Sequence, residues 1–203
     1  MFPSILLCLL AGYLLGALSF AAWIAKARGV DIFAEGSGNP GATNVKRILG
    51  PTAGNVVFVL DFLKGTAAAA AGLWIAGDPG GIAAAAAAVA GHSFSVFLRF
   101  RGGKGVAVTM GALLALMPLV LLAGIAVWLL VYFSTRIVSL ASVLFAASLP
   151  LAAWGLSAWR GAPSPALIVF AAAIAVLIVL RHRSNLLRFM KGEEKSFGRK
   201  RDR

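Results

Sequence analysis

The amino-acid sequence predicts an all-α integral membrane protein. Of the 203 residues, 60% are hydrophobic and only 13% are charged, whereas a soluble domain carries roughly 25% charged residues. Apolar stretches recur along the chain, and most are long enough for a helix that crosses a bilayer about 30 Å thick. Basic residues gather between these stretches. We therefore attribute the net charge of +12 to segments that face an anionic lipid surface, and not to a nucleic-acid interface.

The apolar stretches define the candidate spanning helices. In chain order they are Pro3–Ala25, Ala53–Ala76, Ile82–Leu98, Val106–Phe133, Ile137–Trp159 and Pro165–Leu180. The first stretch has no positive residue before it and is too long for the apolar core of a signal peptide. We expect it to be a retained spanning helix, with Cys8 as a small hydrophobic residue inside it.

The stretch Val106–Phe133 decides the topology, because it contains about 28 residues with Pro118 near its middle. Lys and Arg favour the cytoplasmic side, and a single span here would put the basic C-terminal tail outside. A break at Pro118 instead gives about seven transmembrane helices, with the N-terminus outside and the C-terminus cytoplasmic. Of the Lys and Arg residues, only Arg160 is then on the outer side. Each half, at about 12 to 15 residues, is short for a bilayer, so we expect some short or broken helices.

The domain organisation is expected to be simple. Residues 1–190 form a single transmembrane domain, and residues 191–203 form a basic cytoplasmic tail. Gly12 and Gly16 have the four-residue spacing that is typical of closely packed membrane helices. We expect these glycines to serve helix packing.

Three short polar segments interrupt the apolar chain. They are SGNPGATN at 37–44, FRGGKG at 100–105 and RHRSN at 181–185. Each combines basic side chains with glycine or with small hydrogen-bonding residues, which suit the close approach and charge pairing of a phosphate group. The predicted topology places all three on the cytoplasmic side, so we expect one shared site for a phosphate-bearing substrate.

The first segment offers small polar side chains, glycines and a following arginine: Ser37, Gly38, Asn39, Gly41, Thr43, Asn44 and Arg47. Thr43 or Asn44 is expected to cap a short helix that runs to Leu49, since a helix start attracts anions. The alternative is an ordinary turn rich in Asn, Gly and Pro.

The second segment places Lys104 among Gly102, Gly103 and Gly105. It is not a nucleotide P-loop, because Leu98 stands where that motif needs its first glycine and Gly105 where it needs Ser or Thr. A loop of backbone N–H groups with one lysine suits a single phosphate better.

The third segment places His182 between Arg181 and Arg183, with Asn185 three residues further on. On a continuous helix His182 and Asn185 would share one face. The alternative is that the arginines anchor the last span at the cytoplasmic surface.

Asp61, Lys64 and His92 lie inside apolar stretches. Charges there are costly, so Asp61 and Lys64 are expected to pair or to face the interior of the protein. A structural ion pair and a wall of the active site both remain open, and we favour a packing or gating role over a catalytic one for His92. No cluster of Asp, Glu and His suggests a metal site, and we expect no cofactor.

These segments, together with DFLKG at Asp61–Gly65 and the pair Gly91-His92, occur in the order seen in bacterial acyl-phosphate:glycerol-3-phosphate acyltransferases of the PlsY type. The chain resembles that family over about residues 4 to 190. The resemblance implies a multi-pass enzyme of the bacterial inner membrane that faces the cytoplasm and acts in phospholipid biosynthesis. It implies transfer of a fatty acyl group from acyl phosphate to the 1-hydroxyl of sn-glycerol 3-phosphate, with no direct use of acyl-CoA or acyl carrier protein.

With that resemblance, the expected catalytic residues are Ser37, Lys104, His182 and Asn185. The expected substrate-binding residues are Gly38, Asn39, Gly41, Thr43, Asn44, Arg47, Gly102, Gly103, Gly105 and Arg183. The sequence leaves open which residues hold which phosphate, the general base, the acyl-chain preference and the oligomeric state. A membrane transporter of phosphate or an organic anion is the alternative function, since short, broken spans occur there too.

Overall fold

The computed structural model describes residues 2–159, 164–194 and 196, and within these ranges the regular elements are all helices. The chain divides into two compact units, Met1–Leu116 and Met117–Arg203. The single domain expected over residues 1–190 stays a prediction. Arg160 and most of the basic tail (residues 195 and 197–203) lie outside the described residues.

The first unit contains five α-helices and a 3-10 turn. They are α1 (Phe2–Ala17), α2 (Phe20–Ala27), α3 (Ala42–Leu49), α4 (Pro51–Ser93), the turn Val96–Leu98, and α5 (Val106–Leu116). The 43 residues of α4 are interrupted at Ala76 and Gly77, where the backbone leaves the helical conformation. The interruption falls at the end of the second predicted stretch, Ala53–Ala76, so the separation of the second stretch from the third is confirmed.

The first predicted span, Pro3–Ala25, is broken between α1 and α2, which the sequence analysis did not foresee. Two backbone carbonyls beside the break receive side-chain donors from elsewhere in the unit. Ser95 donates its hydroxyl to the Ala17 carbonyl (2.6 Å), and Lys64 donates to the Leu18 carbonyl (2.5 Å). These bonds stabilise the break, because a carbonyl left without a partner inside a membrane costs several kcal/mol, in rough terms.

Glycines bring α1 close to α4. A Cβ atom on Gly12 or Gly16 would overlap the backbone of Ala84 or Ala88, respectively, and one on Gly91 would overlap the Tyr13 carbonyl. The packing role predicted for the Gly12 and Gly16 spacing is therefore confirmed.

Gly16→Ala is expected to destabilise the protein by about 1–3 kcal/mol, since the added methyl group must push α1 away from α4. Gly155 offers a matched control: it is also helical, but a Cβ there has no neighbour within 4 Å. Gly155→Ala should be neutral or slightly stabilising, because alanine is the better helix former. Thermal unfolding of both variants in the same detergent measures the difference. Equal melting temperatures for the two variants would contradict the packing argument.

The described residues of the second unit form four helices: α6 (Pro118–Thr135), α7 (Val138–Trp159), α8 (Pro165–Arg181) and α9 (Arg183–Met190). The break predicted at Pro118 is confirmed, since α5 ends at Leu116 and Pro118 opens α6. The halves are unequal, however. The first has 11 residues and the second has 18, because α6 continues to Thr135 and ends only where Arg136 adopts a left-handed backbone.

The protein is an all-helical integral membrane protein. Among the described residues, four helical segments are long and apolar enough to cross a bilayer, two of them with the interruptions described above, and the bent pair formed by α8 and α9 is a fifth candidate. The interruption in α4 and the shorter α5 are the places where further crossings were expected. The count of seven and the orientation of the N-terminus stay predictions.

Candidate functional site

Asn44 organises the first polar segment. It is buried, and its side-chain oxygen accepts a hydrogen bond from the backbone N–H of Ser37 (2.8 Å). Its side-chain nitrogen donates to the Glu35 carbonyl (3.0 Å) and to the Ile32 carbonyl (3.4 Å). Because both ends of this amide bind the loop, the geometry favours a structural role for Asn44 over the predicted contact with substrate.

The short helix after this loop is present, but its cap differs from the prediction. Helix α3 begins at Ala42, and Gly41 occupies the cap position without a side-chain hydrogen bond. Neither Thr43 nor Asn44 is the cap, because both already lie within the helix. The first N–H groups of any helix lack partners inside it, so the start of α3 still presents donors.

Of the other predicted residues of the segment, Ser37, Asn39, Gly41 and Thr43 lie before or in the first turn of α3, whereas Arg47 lies in its last turn. Ser37 is exposed, whereas Asn39, Gly41, Thr43 and Arg47 are half-buried. Gly38 has a positive φ of 66°, and a Cβ there would lie 2.9 Å from the Phe33 carbonyl. The sharp bend next to Ser37 therefore requires glycine.

The second segment is a tight loop held against the end of α4. The backbone N–H of Gly103 donates to the His92 carbonyl (2.9 Å), and a Cβ on Gly102 would overlap the backbone of His92 and Ser93. Gly105 has a φ of 86°, which disfavours any other residue,. Lys104 is half-buried and stands directly before the start of α5, so the sequence correctly places a lysine beside a helix N-terminus.

The first and second segments are neighbours within the first unit. The Arg101 guanidinium lies 4.4 Å from the centre of the Phe33 ring, a distance typical of a cation–π contact. Phe33 in turn packs against Gly38 through its carbonyl. The structure thus joins two of the three predicted segments on one surface.

A buried cluster of charged and polar groups lies behind the second segment. The Lys64 ammonium group is 2.8 Å from the Asp61 carboxylate and 3.1 Å from Nδ1 of His92. The same carboxylate is 3.7 Å from His92 Nδ1. Asp61 and Lys64 form the ion pair that was one of the two predicted possibilities, and all three side chains are buried.

The third segment, in the second unit, is not part of one continuous helix. Helix α8 ends at Arg181, and α9 begins at Arg183 with a bend of 56°. His182 lies at this bend, so the prediction that His182 and Asn185 share the face of a continuous helix is wrong. The reason is local, because His182 both ends α8 and precedes the first turn of α9.

The His182 ring has a defined orientation. It is buried, and its Nδ1 lies 2.8 Å from the Ile178 carbonyl. A carbonyl only accepts hydrogen bonds, so we assign the proton of the neutral ring to Nδ1. The lone pair is then on Nε2. Arg183, the neighbouring predicted ligand, is exposed.

Glu194 is a central residue of the second unit that the sequence analysis missed. Its carboxylate accepts hydrogen bonds from Asn185 (2.5 Å), Ser139 (2.7 Å) and the Arg188 guanidinium (2.9 Å). We call these four residues the Glu194 cluster. Burial alone would raise the pKa of Glu194, but the hydrogen bonds from Asn185, Ser139 and Arg188, with the charge of Arg188, hold the pKa below its ordinary value. An acidic pair, Glu193-Glu194, within a mainly basic tail was the available signal.

The described residues contain no group of three or more His, Cys, Asp or Glu side chains arranged to hold a metal ion.

Comparisons with known proteins agree along almost the whole chain. A family model described as glycerol-3-phosphate acyltransferase matches residues 6–192. A glycerol-3-phosphate acyltransferase from Halalkalibacterium halodurans is 44% identical over 97% of both chains. One from Sinorhizobium fredii is 42% identical over 98% of this chain and 95% of its own length.

Two solved structures have the same fold. One is PlsY, an integral membrane glycerol 3-phosphate acyltransferase, in its glycerol 3-phosphate form, with 41% identity, a TM-score of 0.89 and 96% of each chain covered. The other is the lysophosphatidic acid form of PlsY, with 41% identity, a TM-score of 0.86 and the same coverage.

Proposed function

The chain belongs to the glycerol-3-phosphate acyltransferase family, and we propose that it transfers a fatty acyl group from acyl phosphate to the 1-hydroxyl of sn-glycerol 3-phosphate. The products are lysophosphatidic acid and inorganic phosphate. The observation that carries this proposal is the similarity to PlsY, which has been solved in glycerol 3-phosphate and lysophosphatidic acid forms. Glycerol 3-phosphate is the acceptor and lysophosphatidic acid is the product of one acyl transfer.

The residue chemistry supports acyl phosphate as the donor. Acyl phosphate is a mixed anhydride, so its phosphate is already a good leaving group. The protein then needs mainly to hold two anionic head groups and to stabilise the charge that develops on the acyl oxygen. Lys104, the start of α5 and the start of α3 supply a cation and backbone donors for such groups.

In the proposed reaction the C1 hydroxyl oxygen attacks the acyl carbon. The bond from that carbon to the phosphate oxygen breaks, and the hydroxyl proton passes to the departing phosphate. We assign acyl phosphate to Ser37, Asn39, Thr43 and Lys104 with the backbone of Gly38, Gly41, Gly102, Gly103 and Gly105. We assign glycerol 3-phosphate to Arg47, His182, Arg183 and Asn185. The reverse assignment of the two phosphates is the alternative.

His182 tests where the proton goes. With Nδ1 bonded to the Ile178 carbonyl, its Nε2 is the only ring atom that could act as a base. If the leaving phosphate takes the proton, His182→Gln should keep at least about a tenth of the wild-type kcat, because loss of a general base typically costs about 10²–10⁴-fold. A fall in kcat of about 10²–10⁴-fold, in protein with an unchanged melting temperature, would instead identify His182 as the general base.

The proposed location is the bacterial inner membrane, with the site on the cytoplasmic side. The basic segments support that orientation, since Lys and Arg near spans favour the cytoplasm. We propose that neither acyl-CoA nor acyl carrier protein serves directly as donor.

Purified protein mixed with palmitoyl phosphate, with and without glycerol 3-phosphate, tests the function. We expect phosphate release that requires glycerol 3-phosphate and equals the lysophosphatidic acid formed. Palmitoyl-CoA in place of palmitoyl phosphate should give no product. Release without glycerol 3-phosphate would indicate a hydrolase, and folded protein without any release would overturn the proposal in favour of anion transport.

A further inference from the structure

The proposed phosphate loop, Gly102–Gly105, rests on a histidine that the reaction itself does not use. The His92 carbonyl accepts the Gly103 N–H at 2.9 Å. The His92 ring also lies against the loop, because a Cβ on Gly103 would overlap its Nε2. Backbone and side chain of one residue therefore both support the loop that carries Lys104.

The opposite edge of the ring is fixed by the buried ion pair. The Lys64 ammonium group forms an ion pair with the Asp61 carboxylate at 2.8 Å. It donates a hydrogen bond to the Leu18 carbonyl (2.5 Å) and lies 3.1 Å from His92 Nδ1. An ammonium group only donates hydrogen bonds. Nδ1 of His92 must then accept, and the proton of the neutral ring is on Nε2, the atom that faces the loop.

We propose that His92, held in its Nε2-protonated form by Lys64 and Asp61, is a positioning residue that fixes the loop Gly102–Gly105 and with it Lys104. This inference rests on the proposed function of the loop as a phosphate site. In this proposal the ion pair of Asp61 and Lys64 also orients His92, in addition to its role in packing. Lys64 directs one hydrogen bond to the break between α1 and α2 and another to the support of the loop.

Two amide variants separate positioning from packing. The amide nitrogen of glutamine can reach the place of Nε2, whereas that of asparagine reaches only the place of Nδ1. His92→Asn should raise the KM for one phosphate substrate about tenfold, because the Nε2 edge of the ring that lies against Gly103 is lost,. His92→Gln should raise it less than about threefold. Both KM values, for palmitoyl phosphate and glycerol 3-phosphate, are measured with the melting temperature.

The inference is wrong if His92→Asn keeps both wild-type KM values. It is also wrong if the two variants lose activity and melting temperature equally, since His92 would then be only a packing residue. A selective rise in KM for His92→Asn, with a melting temperature matching that of His92→Gln, supports it.

Nitrogen NMR of histidine-labelled protein gives a readout that does not depend on catalysis. The chain has only two histidines, so His182→Gln leaves the signal of His92 alone. We expect a protonated Nε2 and an unprotonated Nδ1, and a loss of this fixed form in the double variant Asp61→Leu, Lys64→Met. A proton on Nδ1 would overturn the inference. If the expected signal is seen but the wild-type protein makes no lysophosphatidic acid, the tautomer is supported and the proposed function is overturned.

Discussion

Replacing Lys104 with methionine is expected to lower kcat/KM for acyl transfer by about 10²–10³-fold, the effect of removing one donor from a site that stabilises developing negative charge. Methionine keeps the length and much of the volume of lysine but removes the ammonium group. Lys104 stands between glycines that the structure holds rigidly, since Gly103 is bonded to α4 and Gly105 requires a positive φ. The loop should therefore keep its shape, and the loss should report the charge.

Lys26→Met is the matched control for this prediction. Lys26 lies in the same unit at the end of α2 and is exposed, so its replacement removes one positive charge without touching the loop. Its kcat/KM should stay near that of the wild type. Lys104→Arg, which keeps the charge, should retain more activity than Lys104→Met. The assignment of Lys104 would be refuted if folded Lys104→Met kept more than about a third of the wild-type kcat/KM, since removal of a donor at that position is expected to lower kcat/KM far more.

Much of the fold was predictable because the membrane imposes simple rules on sequence. Apolar length located the helices, and Pro118 marked the break between α5 and α6 because proline lacks a backbone N–H and is favoured in the first turn of a helix,. The break between α1 and α2 was not predictable from the apolar pattern. It depends on Ser95 and Lys64, which are distant in sequence and reach the carbonyls of Ala17 and Leu18 only in the folded unit.

The candidate site was predictable in composition and less so in the role of each residue. Glycines and lysine in FRGGKG directly indicated a loop before a helix. Asn44 has the same chemistry as a substrate ligand, and only the fold shows that its amide binds three backbone groups of its own loop. Glu194 was missed because its partners lie on two helices, Ser139 on α7 and Asn185 and Arg188 on α9. Its charge was counted only as part of a tail dominated by basic residues.

Glu194→Leu is expected to destabilise the protein by about 2–4 kcal/mol. Its carboxylate receives hydrogen bonds from Asn185, Ser139 and Arg188, and a buried donor that loses its acceptor costs roughly 1–3 kcal/mol. The total is less than three such costs, because the Arg188 side chain is 41% exposed and can turn to solvent. Thermal unfolding in detergent measures the loss. An unchanged melting temperature would show that the Glu194 cluster contributes little to the fold.

The adjacent residue allows a charge-matched comparison. Glu193 is exposed, so Glu193→Gln and Glu194→Gln remove the same charge one position apart, and only the second should lower the melting temperature. Because the pKa of Glu194 is held below its ordinary value in the folded protein, its contribution is complete above the pKa of an unfolded glutamate. This contribution disappears as the pH falls through the folded-state pKa, so the difference in melting temperature between wild type and Glu194→Gln should shrink there.

Glu194 also holds the amide nitrogen of Asn185, a proposed ligand of glycerol 3-phosphate. Glu194→Gln should therefore raise the KM for glycerol 3-phosphate even at temperatures where the variant is fully folded. If its KM equals that of Glu193→Gln, the Glu194 cluster stabilises the fold but does not contribute to substrate binding.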